Sequence, residues 1–118
     1  MNKIKLIHGD CLELMDEILD GSIDAIISDL PFGTTRNKND IPLPFDKLWK
    51  QYNRIIKNTG AIVLFCQGLF LVDLINSNRK MFRYDLIWDK QLITGVLNLG
   101  PIYYVSSNFL THKVWKLS

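Results

Sequence analysis

Ile23-Asp24-Ala25-Ile26-Ile27-Ser28-Asp29-Leu30-Pro31-Phe32-Gly33 decides the fold. A run of strand length, apolar at four of six positions, stops abruptly at an acid, a proline and a glycine. Short apolar runs bounded in this way fit strands buried on both sides of a parallel sheet. A polar loop follows from Asp29 to about Pro44 and holds three of the four prolines. Phe45, Leu48, Trp49, Tyr52, Ile55 and Ile56 then recur at helical spacing. They predict a helix over 45–57, with Asn58-Thr59-Gly60 as its stop. Ala61 to Phe65 reads as the next strand, Gly68 to Asn76 as a second core-facing helix, and Phe82 to Trp88 as a further strand. Upstream, Ile4-Lys5-Leu6-Ile7 reads as a strand ending at His8-Gly9-Asp10. The spacing of Leu12, Met15 and Leu19 predicts a helix over 11–19. Strands alternating with helices make βαβ units. The expected class is therefore α/β, a mostly parallel sheet with flanking helices.

The chain has 118 residues, 47% of them hydrophobic and 22% charged, which is the balance of one globular domain. No apolar run approaches the ~18–20 residues of a membrane span, and the first twenty residues carry charges throughout. Cys11 and Cys66 lie far apart and form neither a disulfide framework nor a CxxC motif, so a reduced, cytoplasmic chain is expected. The net charge is only +2 but it is unevenly placed. Residues 1–30 hold 2 basic and 7 acidic residues, whereas residues 31–118 hold 12 basic and 5 acidic ones. A phosphate backbone is repelled by the first part and drawn to the second. A solvated face with uneven charge is the alternative reading.

Ligands of open α/β sheets bind beyond the carboxyl ends of the strands. Two such ends carry acids here, Asp10 and Asp29. A helix is expected directly after Asp10, so capping that helix competes with any ligand role. Asp29 has the more particular setting, Ser28-Asp29-Leu30-Pro31-Phe32-Gly33-Thr34-Thr35. Proline fixes φ and removes a donor, leaving nearby carbonyls to accept. An acid, a carbonyl and an aromatic ring together suit a planar substrate bearing an amino group. The ring stacks on the plane while the two acceptors turn the nitrogen lone pair toward an electrophile, favouring the transition state over the ground state.

Asp29-Leu30-Pro31-Phe32 resembles the catalytic tetrapeptide of DNA amino-methyltransferases, usually Asp/Asn/Ser-Pro-Pro-Tyr/Phe/Trp. The ordered segments Gly9-Asp10-Cys11-Leu12-Glu13, Gly33-Thr34-Thr35, residues 49–57, Gly60-Ala61-Ile62-Val63-Leu64-Phe65, residues 82–90 and Thr94-Gly95 are similar to the β-class, adenine-specific enzymes of phages and prophages. The resemblance spans roughly residues 3–98. It implies a partial Rossmann-like methyltransferase fold and transfer of a methyl group from S-adenosylmethionine (SAM) to the exocyclic amino group of adenine in double-stranded DNA. In that reading Asp29, Leu30, Pro31 and Phe32 form the catalytic turn. Phe32 stacks on a base rotated out of the duplex. Asp10 and Asp29 lie by the donor. Leu30 departs from the usual first proline. Arg36 and Lys38 in the long loop touch phosphate or are solvated, and the same choice holds for Arg79, Lys80 and Arg83. Trp88-Asp89-Lys90, at a strand end, is a further candidate lining of the site.

His8 and His112 lack the spacing of a zinc site, so no metal is expected. Cys66 reads as core packing, and Trp49 and Tyr52 as core rather than stacking residues. A helix start at Cys11 lowers a thiol pKa, though no partner base is evident. The donor-binding glycine motif, like Phe-x-Gly-x-Gly, that the family carries late in the chain is absent from the 118 residues. The expectation is a single incomplete methyltransferase domain over 1–118, with about 99–118 a divergent tail and donor binding weak or absent. In the family, the strand after that motif separates the counterparts of Ile4–Ile7 and Ile23–Ile27. Its loss implies that those two strands pair directly or that an exposed edge is covered by another chain or by the tail, so a rearranged homodimer or poor solubility is expected. A remnant that keeps a DNA-binding or subunit-pairing surface, and methylation of the cytosine amino group, stay open as alternatives. A receiver-like signalling module fits poorly, since a phosphoacceptor acid does not need the proline-aromatic turn.

Overall fold

The computed structural model describes residues 3–31, 33, 36–89 and 109–116, the last strand and residues 85 and 87–89 by their backbone. In chain order the elements are α1 (Cys11–Leu14) with a 3-10 turn (Met15–Glu17), β1 (Ile23–Ser28), α2 (Phe45–Ile55), β2 (Ile56–Cys66), α3 (Gly68–Ser77), β3 (Phe82–Asp89) and β4 (Phe109–Lys116). The sheet order is β1-β2-β4-β3. β1 pairs parallel to β2, and β4 pairs antiparallel to both β2 and β3. Three of the four strands therefore run the same way, and the α/β reading with a mostly parallel sheet holds.

The core follows the two periodicities. On α2, Leu48, Trp49, Tyr52 and Ile55 are buried at helical spacing. On β2, burial alternates, with Gly60, Ile62, Leu64 and Cys66 fully inside. Both sets join Phe70 and Leu74 of α3 in one cluster. The helices meet through Phe45 and Phe70, whose ring centroids are 5.9 Å apart, and through the Trp49 indole, which donates to the Ser77 hydroxyl at 2.7 Å. Each fully buried aliphatic side chain stabilises the fold by about 1.5–3 kcal/mol relative to leaving it in water.

Three expectations need correction. Ile4–Ile7 forms no strand, and Ile4 and Leu6 stand 89% and 92% exposed. A strand pattern needs a neighbour to satisfy its backbone, and none pairs with this one among the described residues. The helix expected over 11–19 is one turn of α-helix and a 3-10 turn, because Ile18 swings to extended backbone. Asn58-Thr59-Gly60 does not cap α2. The helix ends at Ile55, and the three residues belong to β2 as an irregularity between the pairs Ile23–Ile56 and Ala25–Ala61. Gly60 fits there by close approach, since a Cβ would lie 2.6 Å from the Ile56 side chain and 3.0 Å from the Asp24 carbonyl oxygen. The stretch after residue 99 contributes β4 to the sheet interior.

Candidate active site

β1 delivers Asp29 to the carboxyl end of the sheet. Its carboxylate is exposed, and no hydrogen bond or ion pair engages it among the described residues. Leu30 turns inward and is buried in the core. Its side chain anchors the turn to the core. Pro31 is half-buried. Gly33 adopts φ +72°, where side chains are strained. A Cβ there would also lie 2.5 Å from Pro42 Cγ. The Gly33 N–H donates to the Asp40 carboxylate at 2.8 Å. Asp40 is itself set by a turn, its N–H donating to the Asn37 carbonyl at 3.0 Å while the Asn39 N–H donates to Asn37 Oδ1. The long loop is thus clasped back on its first residues. Phe32, Thr34 and Thr35 lie outside the described residues, as does Lys90. Arg36 and Lys38 are exposed, Lys38 at the tip of the Asn37–Asp40 turn.

Asp10 caps α1. Its Oδ1 accepts from the Leu12 N–H at 2.9 Å, and its carbonyl accepts from the Leu14 N–H. The second carboxylate oxygen carries no hydrogen bond among the described residues. Cys11 follows, exposed, and its thiol pKa is raised, not lowered as the helix start predicted. Desolvation is the larger cause and the Asp10 charge the next, and together they outweigh the backbone N–H groups of a one-turn helix. Tyr52 of α2 is buried near both acidic turns. Its buried phenol faces the Ser28 hydroxyl, beside Asp29, and lies close to Cys11, beside Asp10. Burial raises the phenol pKa. The Ser28 hydrogen bond opposes that rise and the Cys11 charge adds to it.

Arg54 fixes the other end of the same unit. Its guanidinium donates to the carbonyls of Ile18 and Met15, both at 2.6 Å, and to Asp20 at 2.7 Å, while Gln51 accepts from two of its nitrogens. In return the Gly21 N–H donates to the Arg54 carbonyl at 2.8 Å. Sequence reading missed Tyr52, Arg54 and Asp40 in these roles. Only the turn composition Asn37-Lys38-Asn39-Asp40 signalled one of them. A surface groove of about 400 Å³ runs between α1 and α2, lined by Leu12, Asp16, Lys47, Lys50, Gln51 and Arg54. It includes neither Asp10 nor Asp29, so it is not the cradle expected for a base. Among the described residues no cluster of potential ligands could hold a metal ion, and no helix is long and apolar enough to cross a membrane.

Solved structures share this architecture. PvuII DNA methyltransferase, cytosine-N4-specific, superposes with a TM-score of 0.65 at 16% identity, over 93% of this chain and 48% of that one. M1.HpyAVI, solved as a SAM complex, gives 0.59 at 19% identity, over 93% of this chain and 54% of that one. The fold is a methyltransferase fold. The chain spans about half the length of these two structures. No family model and no curated protein matches the sequence. Asp29 follows the carboxyl end of β1, and Asp10 precedes α1 with no strand before it among the described residues.

Proposed function

We propose that this chain carries the catalytic turn of a site-specific DNA amino-methyltransferase. It would move a methyl group from SAM to the exocyclic amino group of adenine in double-stranded DNA. The observation that carries the reading is the Asp29 carboxylate: exposed, unpaired among the described residues, and held at a strand end by a buried Leu30 and a clasped glycine turn. Asp29 and a neighbouring backbone carbonyl accept the amino hydrogens, and Phe32 stacks on the extruded base. The amino nitrogen bonds to the methyl carbon as the carbon–sulfur bond of SAM breaks. The nitrogen then gives up one proton to Asp29 or water. SAM supplies the electrophilic methyl. The free oxygen of Asp10 is a fitting acceptor beside it, while the glycine motif that would complete a donor site is not in the sequence. Arg36 and Lys38 contact phosphate. The setting is cytoplasmic, in a phage or a restriction–modification system.

Cytosine N4 is the second reading, favoured by the cytosine-N4 specificity in the name of the PvuII enzyme. A remnant that binds DNA without chemistry is the third. Transfer of labelled methyl from SAM to duplexes containing only adenine or only cytosine targets, run with the wild-type chain and with Asp29→Ala, tests all three. Transfer to adenine that Asp29→Ala lowers by at least about 100-fold supports the proposal. Transfer confined to cytosine supports the second reading. DNA binding without transfer supports the third, and equal transfer by both proteins refutes the role of Asp29.

A further inference from the structure

Two anchors hold the turn that follows β1, among the described residues. Leu30 is sunk into the core, 5% exposed. Further on, the Gly33 N–H donates to the Asp40 carboxylate at 2.8 Å. Phe32 lies between these anchors in sequence. Asp40 is half-buried and stands on a braced segment. Its own N–H donates to the Asn37 carbonyl at 3.0 Å. After it, Pro42 and Pro44 restrict the backbone. Leu43 and Phe45 pack against the core there, at the start of α2. Pro42 also fills the space beside Gly33, where a Cβ would lie 2.5 Å from its Cγ. Gly33 is thus positioned from the α2 side of the loop.

A carboxylate at this place has a chemical consequence, because it only accepts. Pro31 has no N–H, and Asp40 takes up the N–H of Gly33. Neither Pro31, Gly33 nor the Asp40 side chain then offers a hydrogen to the carbonyls beside Asp29. Those carbonyls are left to accept from a ligand. We propose that Asp40 is a positioning residue for the turn: through the Gly33 N–H it holds the form that reads an exocyclic amino group. The inference rests on the amino-group reading of Asp29 and names the residue that makes that reading selective. Asp40 acts on the base through Gly33, not by touching it. An unclasped loop samples many backbone forms, and apparent affinity falls by the fraction that stays competent. A competent fraction of about one tenth therefore weakens recognition of the amino group about tenfold. Contacts to phosphate, made elsewhere on the chain, are unaffected.

Fluorescence anisotropy tests it, with a short single-stranded oligothymidylate carrying one central adenine. The comparison strand carries purine at that place, which lacks the amino group. A single strand removes most of the cost of extruding the base. The full chain is used as wild type, Asp40→Ala and Asp40→Asn, and the Gly33 amide is followed by nitrogen–proton NMR. The wild type is expected to prefer adenine to purine. Asp40→Ala is expected to shift the Gly33 amide and to lower that preference about tenfold, with binding of the purine strand unchanged. Asp40→Asn retains an acceptor oxygen, so it is expected to keep the amide position and most of the preference. A wild-type preference that survives Asp40→Ala, a Gly33 amide that the change leaves unmoved, or an Asp40→Asn as impaired as Asp40→Ala each overturns the positioning role alone. Equal binding of both strands by the wild type overturns the adenine reading of Asp29, and the role of Asp40 falls with it.

Discussion

Arg54→Ala removes the guanidinium that ties the turn after α1 to α2. Two of its bonds go to the carbonyls of Met15 and Ile18, the first of which also accepts from the Ile18 N–H of the 3-10 turn. Hydrogen bonds to a charged donor contribute about 1.5–3 kcal/mol each. The arginine side chain is 28% exposed, so water replaces part of that loss. The Asp20 partner is 81% exposed, which limits that ion pair to at most ~1 kcal/mol. A net cost of about 2–4 kcal/mol follows. For a chain of this size it lowers Tm by roughly 10–20 °C. Urea unfolding of the wild type, Arg54→Ala, Asp20→Asn and the double variant measures it. Asp20→Asn should cost less than ~1 kcal/mol, and the double variant should cost no more than the arginine change alone. If Arg54→Ala costs no more than Asp20→Asn, the carbonyl bonds are not what holds the unit together.

Gly33→Ala places a side chain at φ +72° and against Pro42. It should cost about 1–3 kcal/mol and open the loop, read as faster proteolysis between residues 29 and 44; unchanged cleavage would refute the clasp. The raised Cys11 thiol should react more slowly with iodoacetamide at pH 8 than a free cysteine despite its exposure, and Asp10→Asn should speed it up. The same shift makes stability fall as pH rises above the ordinary thiol range, because the unfolded chain loses that proton first. Faster labelling than free cysteine would contradict both.

The sequence made β1, α2, α3 and β3 legible to within a residue or two, because each carries its own periodicity. Ile4–Ile7 has the same local pattern and fails for a non-local reason, the lack of a neighbouring strand. Asn58-Thr59-Gly60 has the composition of a stop, yet β1 pulls it into β2, where Gly60 admits the Ile56 side chain. β4 was invisible, since its place between β2 and β3 depends on pairings with residues 20 to 55 positions away. At the site, the acid–Leu–Pro turn was readable by type, and so was the cap at Asp10. The Tyr52 and Arg54 contacts were not, because a polar group on an amphipathic helix gives no sign of what it reaches.

Among the described residues, β3 pairs with the sheet only through β4. During synthesis, residues 82–89 therefore leave the ribosome with no docking partner and must wait until residues 109–116 have been made. Such late, long-range insertion slows folding and leaves a nascent strand open to capture by other chains. Chaperone supply or slower translation at low temperature should then govern how much of this protein is recovered intact.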